Sequence, residues 1–215
     1  MFKNITPPHD WIVYEDRDII ILNKPSGLLS VPGKSEQHKH CVLSYIHLTH
    51  PDALIVHRLD MDTSGLLLLA RNKASHRNLS IQFQDRQVHK MYFACCAGQI
   101  EEPEGEIQLP MRCDWERRPR QIIDFTHGRH AQTRWQLIKQ HTDHFSVALY
   151  PITGRSHQLR LHMKSLGHPI LGDNFYSDRK SFTMADRLML HAQKLTFQHP
   201  TTHEFITIEN KAAFY

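Results

Sequence analysis

The 215-residue sequence lacks any long run of apolar residues. Its longest apolar segments, residues 19–22 and 66–70, fall far short of the roughly 20 residues that a helix needs to cross a bilayer. They predict buried strands instead. The N-terminal residues also lack the basic, then apolar, then small pattern of a secretory signal. These absences exclude a helical membrane protein and lead us to expect a cytoplasmic one.

Cysteine is scarce: the chain has four cysteines and no C-x-x-C pair. Cys95 and Cys96 are adjacent, so on a strand their side chains would point to opposite faces. This spacing does not indicate a disulfide framework, and we expect reduced thiols.

Neither sign of charge dominates, since 26 Lys and Arg against 22 Asp and Glu leave a net charge of +4. Such an excess is compatible with nucleic-acid binding without indicating it. Eighteen histidines raise the alternative of a metal site. No H-E-x-x-H motif or Cys/His pairing at zinc spacing is present, and His157 and His162 are spaced poorly for one helical face. We therefore expect no metal.

Arginine is concentrated in one segment, residues 112–134. The segment contains six arginines against three acids, with two histidines between them. Its charge alone fits a solvated loop and an RNA-binding loop equally well. The six arginines are Arg112, Arg117, Arg118, Arg120, Arg129 and Arg134.

Short apolar segments between turn residues predict strands over most of the chain. Helices are predicted at residues 40–49, at 73–85 with Asn72 as N-cap, and at 156–166 between Ser156 as N-cap and Gly167. The order is not a regular βαβ alternation, so the pattern predicts an α+β fold with a mainly antiparallel sheet and flanking helices, in a single domain 1–215. The predicted strands are residues 12–14, 19–22, 54–59, 65–71, 90–97, 106–109, 132–138, 145–149, 194–198 and 205–208.

Two segments carry candidate chemistry. On the helix at 156–166, His157, Arg160 and Lys164 form a basic row opposite an apolar stripe, which by itself is typical of a solvated helix face. In the loop before residue 65, Asp60 and Asp62 could form an acid/base pair of the kind found in glycosidases. Asp62 could equally be a turn residue.

The chain resembles the RluA family of pseudouridine synthases in six segments, which follow one another in the same order as in the family. Within that family it is most similar to the short branch that acts on 23S ribosomal RNA and tRNA, also through CDW (113–115) and RP (118–119). The six are NKPSGL (23–28), HRLDMDTSG (57–65) with LLLLAR after it, HKMYFA (89–94), PITGRSHQLRLHM (151–163), LGHPILGDNFY (166–176) and LMLHA (188–192).

The resemblance implies a catalytic role for three residues. Asp60 matches the essential aspartate, which attacks the ribose C1′ or abstracts its 2′ proton. Arg160 matches the arginine that pairs with this carboxylate. Tyr92 matches the tyrosine that lies against the uracil ring, and it is the candidate base for the C5 proton. The resemblance also demotes Asp62 to a turn residue.

Other residues are implied in holding the RNA across a central binding cleft. Arg58 matches the arginine that fills the gap left by a flipped nucleotide, and Leu190 is expected to pack on the uracil. Arg155 is expected to contact a phosphate or brace the site. Arg117, Arg118 and Arg120 are expected to grip the RNA, with an affinity that falls at high salt.

The expected substrates are a 23S rRNA hairpin loop and the tRNA anticodon loop. The motif at Lys24-Pro25 comes too early for an S4 RNA-binding domain before it. The resemblance implies no cofactor, no obligatory protein partner and a monomer.

Two rival functions come from other classes. A non-catalytic RNA-binding module would keep the arginine-rich segment but tolerate loss of Asp60. A metal-dependent hydrolase built on the histidines with Asp60 and Asp62 would lose its activity to a chelator.

Overall fold

The computed structural model describes residues 8–33, 35 and 39–215. It divides into two compact units. The first runs to Val88 and includes Lys194–Asn210, and the second comprises His89–Gln193 and Lys211–Tyr215. Within the described residues, every helix is too short or too polar to span a membrane.

The first unit is a sheet with two helices. Its strands are ordered β1-β2-β4-β11-β12, with β3 also paired to β4, and the β1–β2, β2–β4 and β11–β12 pairs are antiparallel. A 3-10 helix, Pro8–Trp11, precedes β1. The elements are β1 (Ile12–Glu15), β2 (Ile19–Lys24), α1 (Val42–Ile46), β3 (Leu54–Ile55), β4 (Ser64–Ala70), α2 (Lys73–Gln84), the end of β11 (Leu190–Gln198) and β12 (Phe205–Glu209).

The core of the first unit forms where the sequence is most continuously apolar. All seven residues of β4 are buried, as in strands covered on both faces. Ile19, Ile21 and Leu68 pack in one cluster with Leu79 of α2. The predicted N-cap of α2 is confirmed, because the Asn72 side chain accepts a hydrogen bond from the Ser75 N–H.

The strand predicted at residues 54–59 is wrong beyond Ile55. The chain leaves the sheet because its next polar groups find partners elsewhere. The Leu68 N–H donates to the His57 ring at 3.0 Å. The Leu59 N–H donates to Ser30 Oγ at 3.1 Å, and this hydroxyl donates back to the Leu59 carbonyl at 2.8 Å. The apolar composition of a segment does not indicate such hydrogen bonds to residues that are distant in the sequence.

The second unit is a sheet ordered β11-β5-β10-β9-β6, with a separate two-stranded ribbon, β7–β8. Strand β10 is antiparallel to β5 and β9, and β6 is antiparallel to β9. The elements are β5 (His89–Ala97), β6 (Glu104–Gln108), β7 (Met111–Cys113), β8 (Gln121–Ile123), β9 (Gln132–Gln140), β10 (His144–Pro151), α3 (Gln158–Ser165), α4 (Arg179–Thr183) and the start of β11.

Helix α3 packs on this sheet through Leu159 and Met163, which join the main cluster of the unit. Cys96 lies in the same cluster, whereas Cys95 packs with Phe93 in another. The prediction that the adjacent cysteines face opposite sides of a strand is confirmed. So is the predicted α+β class with antiparallel pairing.

Helix α3 begins at a different residue from the one predicted, whereas its C-terminal end agrees with the prediction. The N-cap is His157 in a left-handed conformation (φ 55°), so Ser156 as N-cap was wrong. No side chain of a described residue caps this end of the helix, and the Gln158 side chain accepts the N–H of Arg155 in the preceding turn at 3.0 Å. Gly167, with φ 89°, follows the helix as predicted, since this backbone conformation favours glycine.

Candidate active site

Asp60 lies in the connection between β3 and β4 in the first unit. Its side chain is half-buried, and its carbonyl accepts the Thr63 N–H at 3.2 Å, which makes a tight turn. The preceding Leu59 is buried and held by Ser30 through the two hydrogen bonds described above. The carboxylate therefore stands on a backbone fixed from both sides.

A buried lysine braces the same connection. Lys24 is 0% exposed at the end of β2, where it lies opposite Gly65 of β4. Its ammonium group donates to the carbonyls of Pro25 (2.8 Å), Leu28 (2.7 Å) and Met61 (2.9 Å). A lysine has three donors, so these bonds satisfy a charge that would otherwise be costly to bury. We did not assign Lys24 from the sequence. The signal available was a lysine at the end of a strand that begins with four apolar residues.

The residues beside Asp60 differ in exposure. Arg58 is exposed and forms no ion pair with any described residue, which leaves its guanidinium available to a ligand. The Asp62 carbonyl accepts from Ser26 Oγ at 2.7 Å, and the Met61 carbonyl accepts the Gly27 N–H at 2.9 Å. These contacts tie the turn to residues 25–28, in agreement with a structural role for Asp62.

Arg160 is the most deeply buried cation of the second unit, at 1% exposure. Its Nε and one terminal nitrogen donate to the two carboxylate oxygens of Asp173, each at 2.7 Å. The same terminal nitrogen donates to Asn174 Oδ1 at 3.0 Å. Asp173 also accepts the backbone N–H groups of Phe175 and Tyr176. This bidentate pair fixes the guanidinium plane.

The loop that carries Asp173 depends on a glycine. Gly172 has φ +70°, and a Cβ there would lie 2.0 Å from the Arg187 carbonyl oxygen. Only glycine fits this close approach without a backbone shift. Asp173 was not singled out from the sequence, although it lies in the quoted segment LGDNFY.

The basic row predicted on α3 is not a solvated face. His157 and Arg160 are buried, and only Lys164 is exposed. The His157 ring is hydrogen-bonded to the Tyr176 hydroxyl at 2.9 Å and stacks on Phe175. The interpretation of this row as a solvated surface was therefore wrong.

His162 lies on the apolar side of α3 and is also buried. Its ring is hydrogen-bonded to Thr133 Oγ1 at 2.9 Å and to the Leu109 carbonyl at 3.3 Å. Burial lowers the pKa of this imidazole, although the bond to the carbonyl opposes the shift. His162 therefore serves the fold as a neutral ring.

Tyr92 and Leu190 meet in one cluster of the second unit. Leu190 is buried there at the start of β11, and Tyr92 of β5 packs against the cluster while half-buried. Leu159, next to Arg160 on α3, belongs to the same cluster. The structure thus brings two predicted uracil contacts and the helix of Arg160 together. The predicted pairing of Arg160 with Asp60 joins residues of the two units and stays a prediction.

The arginine-rich segment contains the ribbon β7–β8, which the sequence did not predict. Arg117 donates through Nε to Asp114 at 2.8 Å, and Arg120 lies 5.9 Å from the Phe175 ring centroid. Arg118 and Arg120 form no ion pair with any described residue. The exposed Arg155 donates to the His130 carbonyl at 3.3 Å, so it lies beside this segment.

Among the described residues, one group of three side chains has the spacing of metal ligands: Asp16, Asp18 and His199. Its atoms already have partners. Asp16 accepts two backbone N–H groups and contacts the His199 ring at 3.1 Å. Asp18 accepts from Asn72 and Ser75. The cluster ties β1, β2 and α2 to the loop after β11 and is explained as structural.

Comparison with known proteins places these residues in a family. A family model described as RNA pseudouridylate synthase matches residues 18–165. The "Dual-specificity RNA pseudouridine synthase RluA" of Vibrio cholerae serotype O1 is 49% identical over 212 residues, which cover 97% of this chain and 86% of that protein. The protein of the same name from Escherichia coli K12 is 46% identical over 216 residues, or 99% of each chain.

The chain belongs to the RluA family of pseudouridine synthases. It is an isomerase that converts uridine to pseudouridine in RNA, as predicted. The solved structure "Human RNA Pseudouridylate Synthase Domain Containing 1" matches with a TM-score of 0.80 at 29% identity, covering 95% of this chain and 84% of that one. A second human structure, "Human RNA Pseudouridylate Synthase Domain Containing 4", supports the fold alone, with a TM-score of 0.77 at 24% identity, over 96% and 90%.

Proposed function

We propose that this RluA-family synthase modifies uridines in two RNAs, a 23S rRNA hairpin loop and the tRNA anticodon loop. The observation that carries the proposal is the near full-length similarity to two synthases whose names state dual specificity. The chain also shares the CDW and RP segments of the short branch. We propose that residues 1–215 act as one catalytic domain, in the cytoplasm and as a monomer, with no metal or cofactor.

The chemistry assigned to Asp60 is the opening of the glycosidic bond. It acts as a nucleophile at C1′ or as the base for the 2′ proton. Both roles need an ionised carboxylate, for which Arg160 is the proposed partner cation. Support comes from the fixed turn that carries Asp60 and from the guanidinium plane fixed by Asp173.

The rest of the reaction is assigned to the apolar cluster of the second unit. The N1–C1′ bond breaks, the uracil rotates, and a C5–C1′ bond forms. Tyr92 then takes the C5 proton while N1 regains one, so that the atoms balance. Leu190 packs on the ring, Arg58 fills the place of the flipped base, and Arg155 contacts phosphate.

The test is release of tritium from 5-tritiated uridine, because C5 loses its hydrogen in the reaction. Wild type is expected to release tritium from a 23S hairpin fragment and from tRNA, with EDTA present. Asp60→Ala should release none, and Asp62→Ala is the matched control that should retain activity. A wild type inactive on both RNAs would refute the proposed substrates. An active Asp60→Ala would refute the role of Asp60 and favour a different acid.

A further inference from the structure

One tryptophan of the chain is exposed. Trp11 and Trp135 are each 5% exposed, whereas Trp115 is 64% exposed between β7 and β8. A large aromatic ring normally stabilises a fold through the burial of its apolar surface, and most of the surface of Trp115 is not buried. The proposed binding of RNA by this ribbon depends on its arginines and gives no role to the Trp115 ring.

The ribbon tip, residues 114–120, holds Trp115 in a fixed position. The Asp114 N–H donates to the Arg120 carbonyl at 2.9 Å, and the Arg117 N–H donates to the Asp114 carbonyl at 3.2 Å. The buried Asp114 carboxylate also accepts Arg117 Nε at 2.8 Å. These bonds close the tip on itself.

The base of the ribbon is anchored in the second unit. The Gln121 N–H donates to the Tyr176 hydroxyl at 2.8 Å. Met111 packs in a buried cluster with Leu161 of α3 and Tyr176. The ring of Trp115 is therefore presented on a braced support, which lowers the entropy lost when a ligand binds.

A cation lies on the ring. The guanidinium carbon of Arg118 is 4.0 Å from the centroid of the Trp115 ring. Arg118 and Arg120 have no carboxylate partner among the described residues, and Arg117 is paired with Asp114. With Glu116 also at the tip, three arginines against two acids leave a charge of 3 − 2 = +1.

We propose that Trp115 and Arg118 form a stacking platform for an unpaired base of the substrate RNA. Unstacked RNA bases are bound on aromatic rings and guanidinium planes, and the positive tip suits the adjoining phosphates. The surroundings are charged, which argues against an apolar protein partner. This inference rests on the proposed RNA substrate, and it adds a base contact to the phosphate contacts expected of the loop arginines.

The platform can be observed directly through its fluorescence. Because the other two tryptophans are buried, quenching of Trp emission by an anticodon stem–loop should come from Trp115. The full-length Asp60→Ala chain is used so that the RNA stays unmodified. Trp115→Ala should lose the quenching and bind the stem–loop about tenfold more weakly, within the range of one stacked base. Trp115→Phe should restore most of the affinity.

Phe125→Ala provides a matched control. Phe125 is 78% exposed just after β8, and no guanidinium of a described residue lies over its ring. Its loss should leave affinity unchanged. The salt dependence of binding distinguishes base stacking from phosphate contacts. The loss of RNA affinity in Trp115→Ala should be the same at every salt concentration, because stacking neutralises no phosphate. Arg120→Ala should lower the slope of log affinity against log salt by about 0.7–0.9 if it contacts one phosphate.

Two results would overturn the platform. One is wild-type affinity and quenching in Trp115→Ala. The other is an equal loss for the stem–loop and for a fully paired duplex, because a duplex offers no unstacked base. Failure of the proposed function would look different. Wild type would then release no tritium, while the binding comparison of Trp115→Ala with its controls would still decide the platform.

Discussion

The second unit carries two stretches rich in basic residues, and the fold treats them in opposite ways. On α3, His157, Arg160 and His162 are buried, and each has protein partners. On the ribbon tip, Arg117 has a side chain that is 68% exposed, and the Arg118 guanidinium lies over an exposed ring. The same residue types thus build the interior in one stretch and face solvent in the other.

The difference shows what a count of basic residues measures. A buried cation needs a dedicated partner, so Arg160 is matched by the carboxylate of Asp173. An exposed cation keeps its hydration and needs no partner, so its charge remains available to a polyanion. Burial therefore separates the cations that shape a site from those that can attract RNA.

Breaking the buried pair should give the largest effect on stability. Arg160→Met leaves Asp173 charged and buried, and we expect it to lower the free energy of unfolding by about 3–5 kcal/mol. Arg117→Ala removes a guanidinium that is 68% exposed from the buried Asp114 carboxylate, and it should cost less, about 1–3 kcal/mol, because water screens the cation of this pair. Urea unfolding of the two variants measures the contrast, and equal losses would contradict it.

A double variant separates the fold from the chemistry. Arg160→Met with Asp173→Leu removes both charges and should recover much of the lost stability. Tritium release should remain absent, because the proposed partner cation of Asp60 is gone. Recovery of activity along with stability would show that Arg160 serves the fold alone.

Much of the fold could be predicted because it follows from local patterns. The apolar segments of β2 and β4 and the cap of α2 at Asn72 each depend on neighbouring residues. Residues 56–59 were misassigned because the hydrogen-bond partners of His57 and Leu59, which are Leu68 and Ser30, are distant in the sequence. The ribbon β7–β8 was missed because its three-residue strands are too short for a period to appear.

The candidate site shows the same limit. Asp60, Arg160 and Tyr92 are predicted from motifs. Lys24, which bonds to the turn of Asp60, and Asp173, which bonds to Arg160, were quoted within motifs without a role, since side-chain partners across a loop leave no periodic signal. The burial of the basic row on α3 could not be predicted either, because the spacing of its cations is also that of a solvated face.

Lys24 extends the comparison to a buried cation of the first unit whose ammonium group donates to three backbone carbonyls. Lys24→Met fills a similar volume but leaves three buried carbonyls without their donor. We expect a loss of roughly 2–4 kcal/mol in the free energy of unfolding. The Met61 carbonyl, next to Asp60, also loses its hydrogen bond, so the turn that carries Asp60 should become less ordered. We therefore expect tritium release to fall more than RNA affinity. Lys73→Met, at the start of α2, is the exposed control and should change neither quantity.

The smallest effect is expected in the pH dependence of stability. The pKa of His162 is lowered by burial, so its folded-state pKa lies below the ordinary value near 6.5. The unfolded chain then binds the proton more readily below pH 6.5, and stability should fall as the pH drops from there towards the folded-state pKa. The contribution of one group is at most about 1.4 kcal/mol per pH unit.

His162→Asn should reduce this acid slope, because an amide keeps a donor and an acceptor but does not titrate. Its stability at pH 7.5 should be lower than that of wild type, since the contacts to Thr133 and Leu109 are disturbed, yet the two curves should converge towards pH 5. A His162→Asn curve parallel to that of wild type would mean that His162 binds its proton equally well in the folded and unfolded chains, and it would contradict the effect of burial on this ring.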